Sequence, residues 1–309
     1  MRKKILKKKY IVFLLLLYIF IPITYSSRVV RGESGQDLHG VRVGIYSNNL
    51  ADQTLASRIA IQQMFMWMNA TVENINAIEI KDGALSKYDI FVIPGRSEGT
   101  TYNELGEDGV NSVLNYIRSG GNYFGICGGT NFAALDAVNL FSGALLPVPG
   151  ELRTPHIVQM RVNTLINDPN LTGLNESFSI AFWGSVYFSP NADQQFITIA
   201  SYSNSNTPGM IVYRYGLGTV FLSSPHAEFE ENSDRDGTDE FDIFDDEDSE
   251  WDLLLRVAQW QVKVSKDNLI FIFVVSVNCG AFAIGAILLI LHKRKRSFQR
   301  KKLEGKNAN

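Results

Sequence analysis

The chain has 309 residues, 45% hydrophobic and 20% charged, with 25 Gly, 9 Pro and two cysteines, Cys127 and Cys279. This composition excludes a mainly disordered chain, a collagen, a coiled-coil rod and a disulfide scaffold, and no Cys or His cluster has zinc spacing. The formal charge of −3 hides a segregation: six of the 29 Lys and Arg lie in residues 1–27 and eight in 268–309, while 31 of the 32 acids lie between, so residues 28–267 carry −16. That balance repels phosphate backbones and argues against a nucleic-acid partner.

Residues 1–27 place six basic side chains before the apolar stretch Tyr10 to Ile23, with Thr24, Ser26 and Ser27 following. This is the order of a signal peptide, with an uncleaved signal anchor as the alternative. Residues 28–40 read as a linker. The alternating run 41–46 predicts a strand, and Leu55, Ile59, Met64, Phe65 and Met68 near helical spacing predict an amphipathic helix. A second extended run covers Thr71 to Ile80, and a third, Tyr88 to Ile93, is nearly continuously apolar, as in a strand covered on both faces. Val110, Val113, Leu114 and Ile117 make a helical face stopped by Gly120-Gly121, and Tyr123 to Ile126 is another short buried strand, followed by a helix beginning near Asn131. Strands alternating with helices imply parallel crossover units.

From Ile157 the rhythm changes to extended runs at 157–162, 178–188, 196–202, 209–215 and 219–223, expected to continue or flank the same sheet. Residues 228–250 form an acidic loop with 13 carboxylates against one Arg235. An amphipathic helix is expected near Trp251 to Val264. The 23 residues from Leu269 to Leu291 are apolar apart from Asn278 and are followed by the basic tail 292–309, which predicts a transmembrane helix with a cytoplasmic C-terminus and residues 41–264 outside.

The most informative segment is Gly125-Ile126-Cys127-Gly128-Gly129-Thr130. A nucleophile on a sharp strand-to-helix turn needs small neighbours, and a helix N-terminus behind the sulfur favours negative charge there. A lone Cys in an apolar run is as readily an inert core residue. The balance tips about a hundred residues later, at Val220-Phe221-Leu222-Ser223-Ser224-Pro225-His226-Ala227-Glu228. A strand ending in His-X-Glu can present an imidazole to a thiol with a carboxylate behind it. Of the other histidines, His292 lies in the basic tail, His39 precedes the first strand, and His156 opens a strand without a close carboxylate partner. Aromatics between Phe178 and Phe188, Trp183 and Tyr187 among them, fit a pocket wall or core packing equally well. The acidic loop offers a weak calcium candidate at Asn232, Asp234 and Asp236, but Ile243 stands where a calcium loop carries a bidentate Glu, so a solvated loop is preferred.

Strand-Gly-X-Cys-Gly-Gly followed by strand-Ser-Pro-His-X-Glu, together with Ile93-Pro94-Gly95-Arg96, resembles the class I glutamine amidotransferase-like superfamily over roughly residues 41–262. Within it the chain is most similar to the amidotransferase-like domain at the N-terminus of some biotin-protein ligases. The resemblance implies an α/β, flavodoxin-like, mostly parallel sheet with helices on both faces. It also implies a Cys-His-Glu triad: Cys127 as nucleophile, His226 as general base and then acid, Glu228 as orienting carboxylate, and backbone N–H groups of Gly95, Arg96 and Gly128 as the oxyanion hole. Arg96 replaces the usual second Gly, and Gly128 and Thr130 stand where the family often has Ala. A ligase nucleotide-binding run and a synthase domain are absent from the sequence, so biotin ligation is not implied. The expectation is a membrane-tethered, cysteine-dependent amidase or glutaminase-like hydrolase acting on a small-molecule amide or acid without a cofactor. The alternative is a non-catalytic ligand-binding or sensor module of the same fold.

Overall fold

The structure, a computed structural model, describes residues 37–47, 55–95, 98–230, 234–244 and 249–304, and within the last helix it describes backbone alone for residues 277–289 and 292–304. The predicted signal peptide, most of the predicted linker, and Arg96 and Asn232 lie outside the described residues.

A nine-stranded sheet forms the body. In chain order its elements begin with β1 (Arg42–Tyr46), α1 (Leu55–Trp67), β2 (Thr71–Ile75), α2 (Ala77–Lys81), β3 (Ile90–Ile93), α3 (Glu98–Arg118), β4 (Asn122–Ile126) and α4 (Gly128–Ala134). There follow β5 (Gly143–Pro147), β6 (His156–Val162), β7 (Ser177–Phe182), β8 (Val186–Pro190), β9 (Ile197–Tyr202), β10 (Pro208–Tyr215), β11 (Gly218–Ser223) and α5 (Trp251–Glu304). The sheet order is β2-β1-β3-β4-β11-β10-β9-β6-β7. Its first five strands are parallel, in the order of flavodoxin-like doubly wound sheets. The later strands extend this central part antiparallel, because the turns between β9, β10 and β11 are too short for a crossover. β5 and β8 pair separately as a two-stranded ribbon.

Alternation along the central strands feeds two cores. Ile90 and Val92 join Phe65, Phe124 and the start of α5 on one face, while Phe91 and Ile93 join Val113, Ile117 and Phe132 of α3 and α4 on the other. Helices therefore cover both faces, as expected, and α5 anchors its own: Gln261 donates to the Tyr123 carbonyl at 3.0 Å, and Asn122 donates to Ser265 Oγ at 3.0 Å.

Several elements differ from the sequence expectation for local reasons. The extended run Thr71 to Ile80 is cut at Asn76, whose side chain accepts from Ile78 and Glu79 N–H while Glu79 returns a bond to the Asn76 N–H, a capping box that starts α2. The run 178–188 divides into β7 and β8, with Gly184 (φ 59°) between them. α3 carries a break at Gly106 (φ 59°, ψ −176°). The amphipathic helix near Trp251 and the apolar stretch after it form one continuous helix rather than two. Among the described residues no helix is long and apolar enough to cross a membrane; the side chains of 277–289, most of the predicted span, lie outside them.

Candidate functional site

Three adjacent central strands, β3, β4 and β11, end on the same edge of the sheet, the edge where open α/β sheets hold their ligands. Each delivers one part of the site. β4 runs into Cys127, whose backbone (φ 47°, ψ −102°) lies in a region that residues with a Cβ seldom occupy. The turn is held from β11: the Cys127 N–H donates to the Ser223 carbonyl at 2.8 Å, and the Thr130 hydroxyl donates to the same carbonyl at 2.8 Å. The predicted crowding is present. A methyl group on Gly129 would run into the Ile93 carbonyl, and one on Gly125 would meet the Gly129 backbone at 2.9 Å. α4 starts at Gly128, three residues earlier than expected, so Cys127 stands directly at its N-cap.

β11 continues through Ser224 and Pro225 to His226, whose N–H donates to the Ala181 carbonyl at 2.9 Å. His226 is 4% exposed and Glu228 is fully buried. Nδ1 lies 2.9 Å from Glu228 Oε1, so the sequence pair His-X-Glu is a hydrogen-bonded pair in space. β3 delivers Gly95. A methyl group built there would meet His226 Cε1 at 2.9 Å and Cys127 Cβ at 3.6 Å, which places sulfur-bearing and imidazole side chains around one point and explains why the position is glycine. Among the described residues, His226 Nε2 is buried without a hydrogen-bond partner. Burial works to lower the His226 pKa. The negative charges at Cys127 and Glu228 outweigh it and hold the imidazole well above its usual range.

Ser57, in the first turn of α1, completes the cluster and was not legible in the sequence. Its hydroxyl donates to Glu228 Oε1 at 2.6 Å and accepts from the Gly95 N–H at 2.9 Å. The Gly95 N–H, expected to serve the oxyanion hole, donates to Ser57 in this structure. Gly128 keeps the first N–H of α4, at a position where helices supply no internal acceptor.

Aromatic rings enclose the imidazole: Phe229 at 5.4 Å, Phe241 at 5.9 Å and Trp183 at 6.5 Å between centroids. Trp183 is 50% exposed and stands at the rim, whereas Tyr187 packs against the core. Phe241 brings residues 234–244 of the acidic segment against the site, so this part is a strap rather than the free solvated loop expected. Arg235 ties it down, pairing with Glu230 at 2.6 Å and stacking on Trp251 at 4.2 Å and Trp67 at 5.2 Å. Of the calcium candidates, Asp236 is buried and its oxygens accept from the Glu230 and Thr238 N–H groups, while Asp234 is exposed. Among the described residues no three His, Cys, Asp or Glu side chains gather as a metal site. His156 does have a carboxylate partner, Glu151 Oε2 at 2.8 Å, contrary to expectation, because the chain between them folds back before β6.

Residues 42–146 match the family model described as biotin-protein ligase, N terminal. The matched segment contains the Cys127 turn and stops before His226 and Glu228. No curated protein matches. Solved structures with similar chain traces include a glutamine amidotransferase from Thermotoga maritima, 13% identical, TM-score 0.46, covering 75% of this chain and 95% of that one. Others are a cytoplasmic protein of Salmonella typhimurium LT2, 12% identical, TM-score 0.49, covering 72% and 99%, and a ThuA-like protein from Parabacteroides merdae, 15% identical, TM-score 0.47, covering 72% and 90%.

Proposed function

We propose that this chain, whose amidotransferase-like character is supported by the family match over residues 42–146, is a thiol amidohydrolase held at the outer face of a membrane. The observation that carries the reading is the meeting of Cys127 on its strained turn with the buried His226–Glu228 pair at one sheet edge. In this reading the Cys127 thiolate attacks an amide carbonyl, and the tetrahedral oxyanion takes the Gly128 N–H as a donor. His226, protonated through its pairing with sulfur and Glu228, gives its proton to the leaving amine. Water, deprotonated by the same imidazole, then cleaves the thioester to release the acid and restore the thiol. The residues present require no cofactor for these steps.

Membrane attachment is supported by the path of α5. Beyond the body Leu269, Ile270, Phe271, Ile272, Phe273 and Val275 are all exposed on successive faces, a helix apolar all round. The basic tail would then lie on the cytoplasmic side.

The test is labelling with an electrophilic glutamine analogue. Labelling should map to Cys127 and vanish in Cys127→Ser with the fold intact; undiminished labelling of that variant overturns the mechanism. A second reading, a ligand-binding module on the same fold, is favoured by one observation, the engagement of Gly95 N–H by Ser57, which removes a donor that hydrolysis would use. Stabilisation by amides or biotin-like acids that persists in Cys127→Ser, without turnover by the native chain, would support it.

A further inference from the structure

Glu228 Oε1 accepts from two directions at once. His226 Nδ1 approaches at 2.9 Å and Ser57 Oγ at 2.6 Å, while Oε2 is buried without a partner among the described residues. The Ser57 hydroxyl has one proton, and that proton goes to the carboxylate; its lone pairs face the Gly95 N–H at 2.9 Å. Ser57 is itself buried, and it lies 171 positions from Glu228 in the chain. α1, the β3 loop and the β11 loop therefore meet at a single oxygen atom that water does not reach.

We propose that Ser57 is a positioning residue of this site: its hydroxyl fixes which carboxylate oxygen faces the imidazole and ties the Gly95 loop to that same carboxylate. The proposal rests on the reading of Cys127, His226 and Glu228 as the reacting group. Its physical content is a competition. A carboxylate oxygen that already accepts a short bond from Ser57 is a weaker acceptor for His226, so the hydroxyl limits how tightly the imidazole holds its proton. It also holds the carboxylate against rotation onto the free Oε2, which would draw the imidazole away from the sulfur. Among the described residues the titratable groups facing the imidazole are Cys127 and Glu228, and the rings of Phe229, Phe241 and Trp183 stand around it.

The experiment is the rate of iodoacetamide alkylation of Cys127 between pH 5 and 10 in the full-length chain, with the modified peptide separated from that of Cys279 by mass spectrometry. The native profile should show two inflections, formation of the thiolate–imidazolium pair and then loss of the imidazolium proton. In Ser57→Ala the upper inflection should move up by about one pH unit, as befits loss of one donor to a buried carboxylate. Ser57→Thr, which keeps the hydroxyl, should restore the native profile. If Ser57→Ala does not fold, Ser57→Thr and Ser57→Val, matched in shape, carry the same comparison. Superimposable profiles with and without the hydroxyl overturn the proposal while leaving the underlying site intact. A native profile with one inflection at ordinary thiol reactivity overturns the site itself.

Discussion

At the scale of single residues the site depends on charge held away from water. Because His226 is raised above its ordinary 6.5 despite burial, its pairing contributes stability that is whole below that value and is lost as pH rises through the raised one. Urea midpoints of the native chain should therefore fall on the alkaline side. Glu228→Gln should lower stability by about 3–5 kcal/mol, as for breaking a buried pair, and flatten that alkaline decline; an unchanged slope would show that Glu228 does not hold the imidazolium. Cys127, His226 and Glu228 were legible because each follows a strand in a segment with its own signature. Ser57 was not: a small polar residue near the start of an amphipathic helix has no local pattern, and its partner lies 171 positions away. The acceptor of the Gly95 N–H was hidden for the same reason, since it comes from a distant helix.

Among the elements, the acidic strap shows how composition misleads. Thirteen carboxylates suggest a solvated run, yet Glu230, Asp236 and Glu250 are buried and Phe241 turns inward, adopting φ 69° to reach the imidazole. Net charge reports the average of a segment, whereas its docking depends on a few side chains, here Arg235 between Trp67 and Trp251. Burial pushes the Asp236 carboxyl up from 3.8 to about 6. With the folded value above the unfolded one, the protonated strap is the stable one, and that contribution fades as pH rises from 3.8 through about 6. Limited proteolysis within 234–244 should accelerate from pH 5 to pH 7, and Asp236→Asn should reduce the difference; equal cleavage rates at both pH values would contradict it. The strand alternation of the parallel part was readable because buried strands are continuously apolar, while β5 and the β7–β8 division were hidden in short runs that pair outside or at the margin of the main sheet.

For the molecule as a whole, the proposed tether makes a direct prediction. A chain ending at Lys266 keeps the residues of α5 that pack on the sheet and should remain in solution after cell disruption, whereas the full chain should require detergent; partition of both forms into the soluble fraction would refute the anchor. α5 adds a constraint of another kind. Its 54 residues run without interruption from beneath the sheet to Glu304, about 80 Å at 1.5 Å per residue. In a continuous helix, rotation about the axis is tied to length. Were the proposed tether to hold the far end of this helix, each residue inserted between the packed part and the bare part would turn the Trp183 rim by about 100° about the helix axis, so the compass bearing of that rim would be written in the residue count of α5.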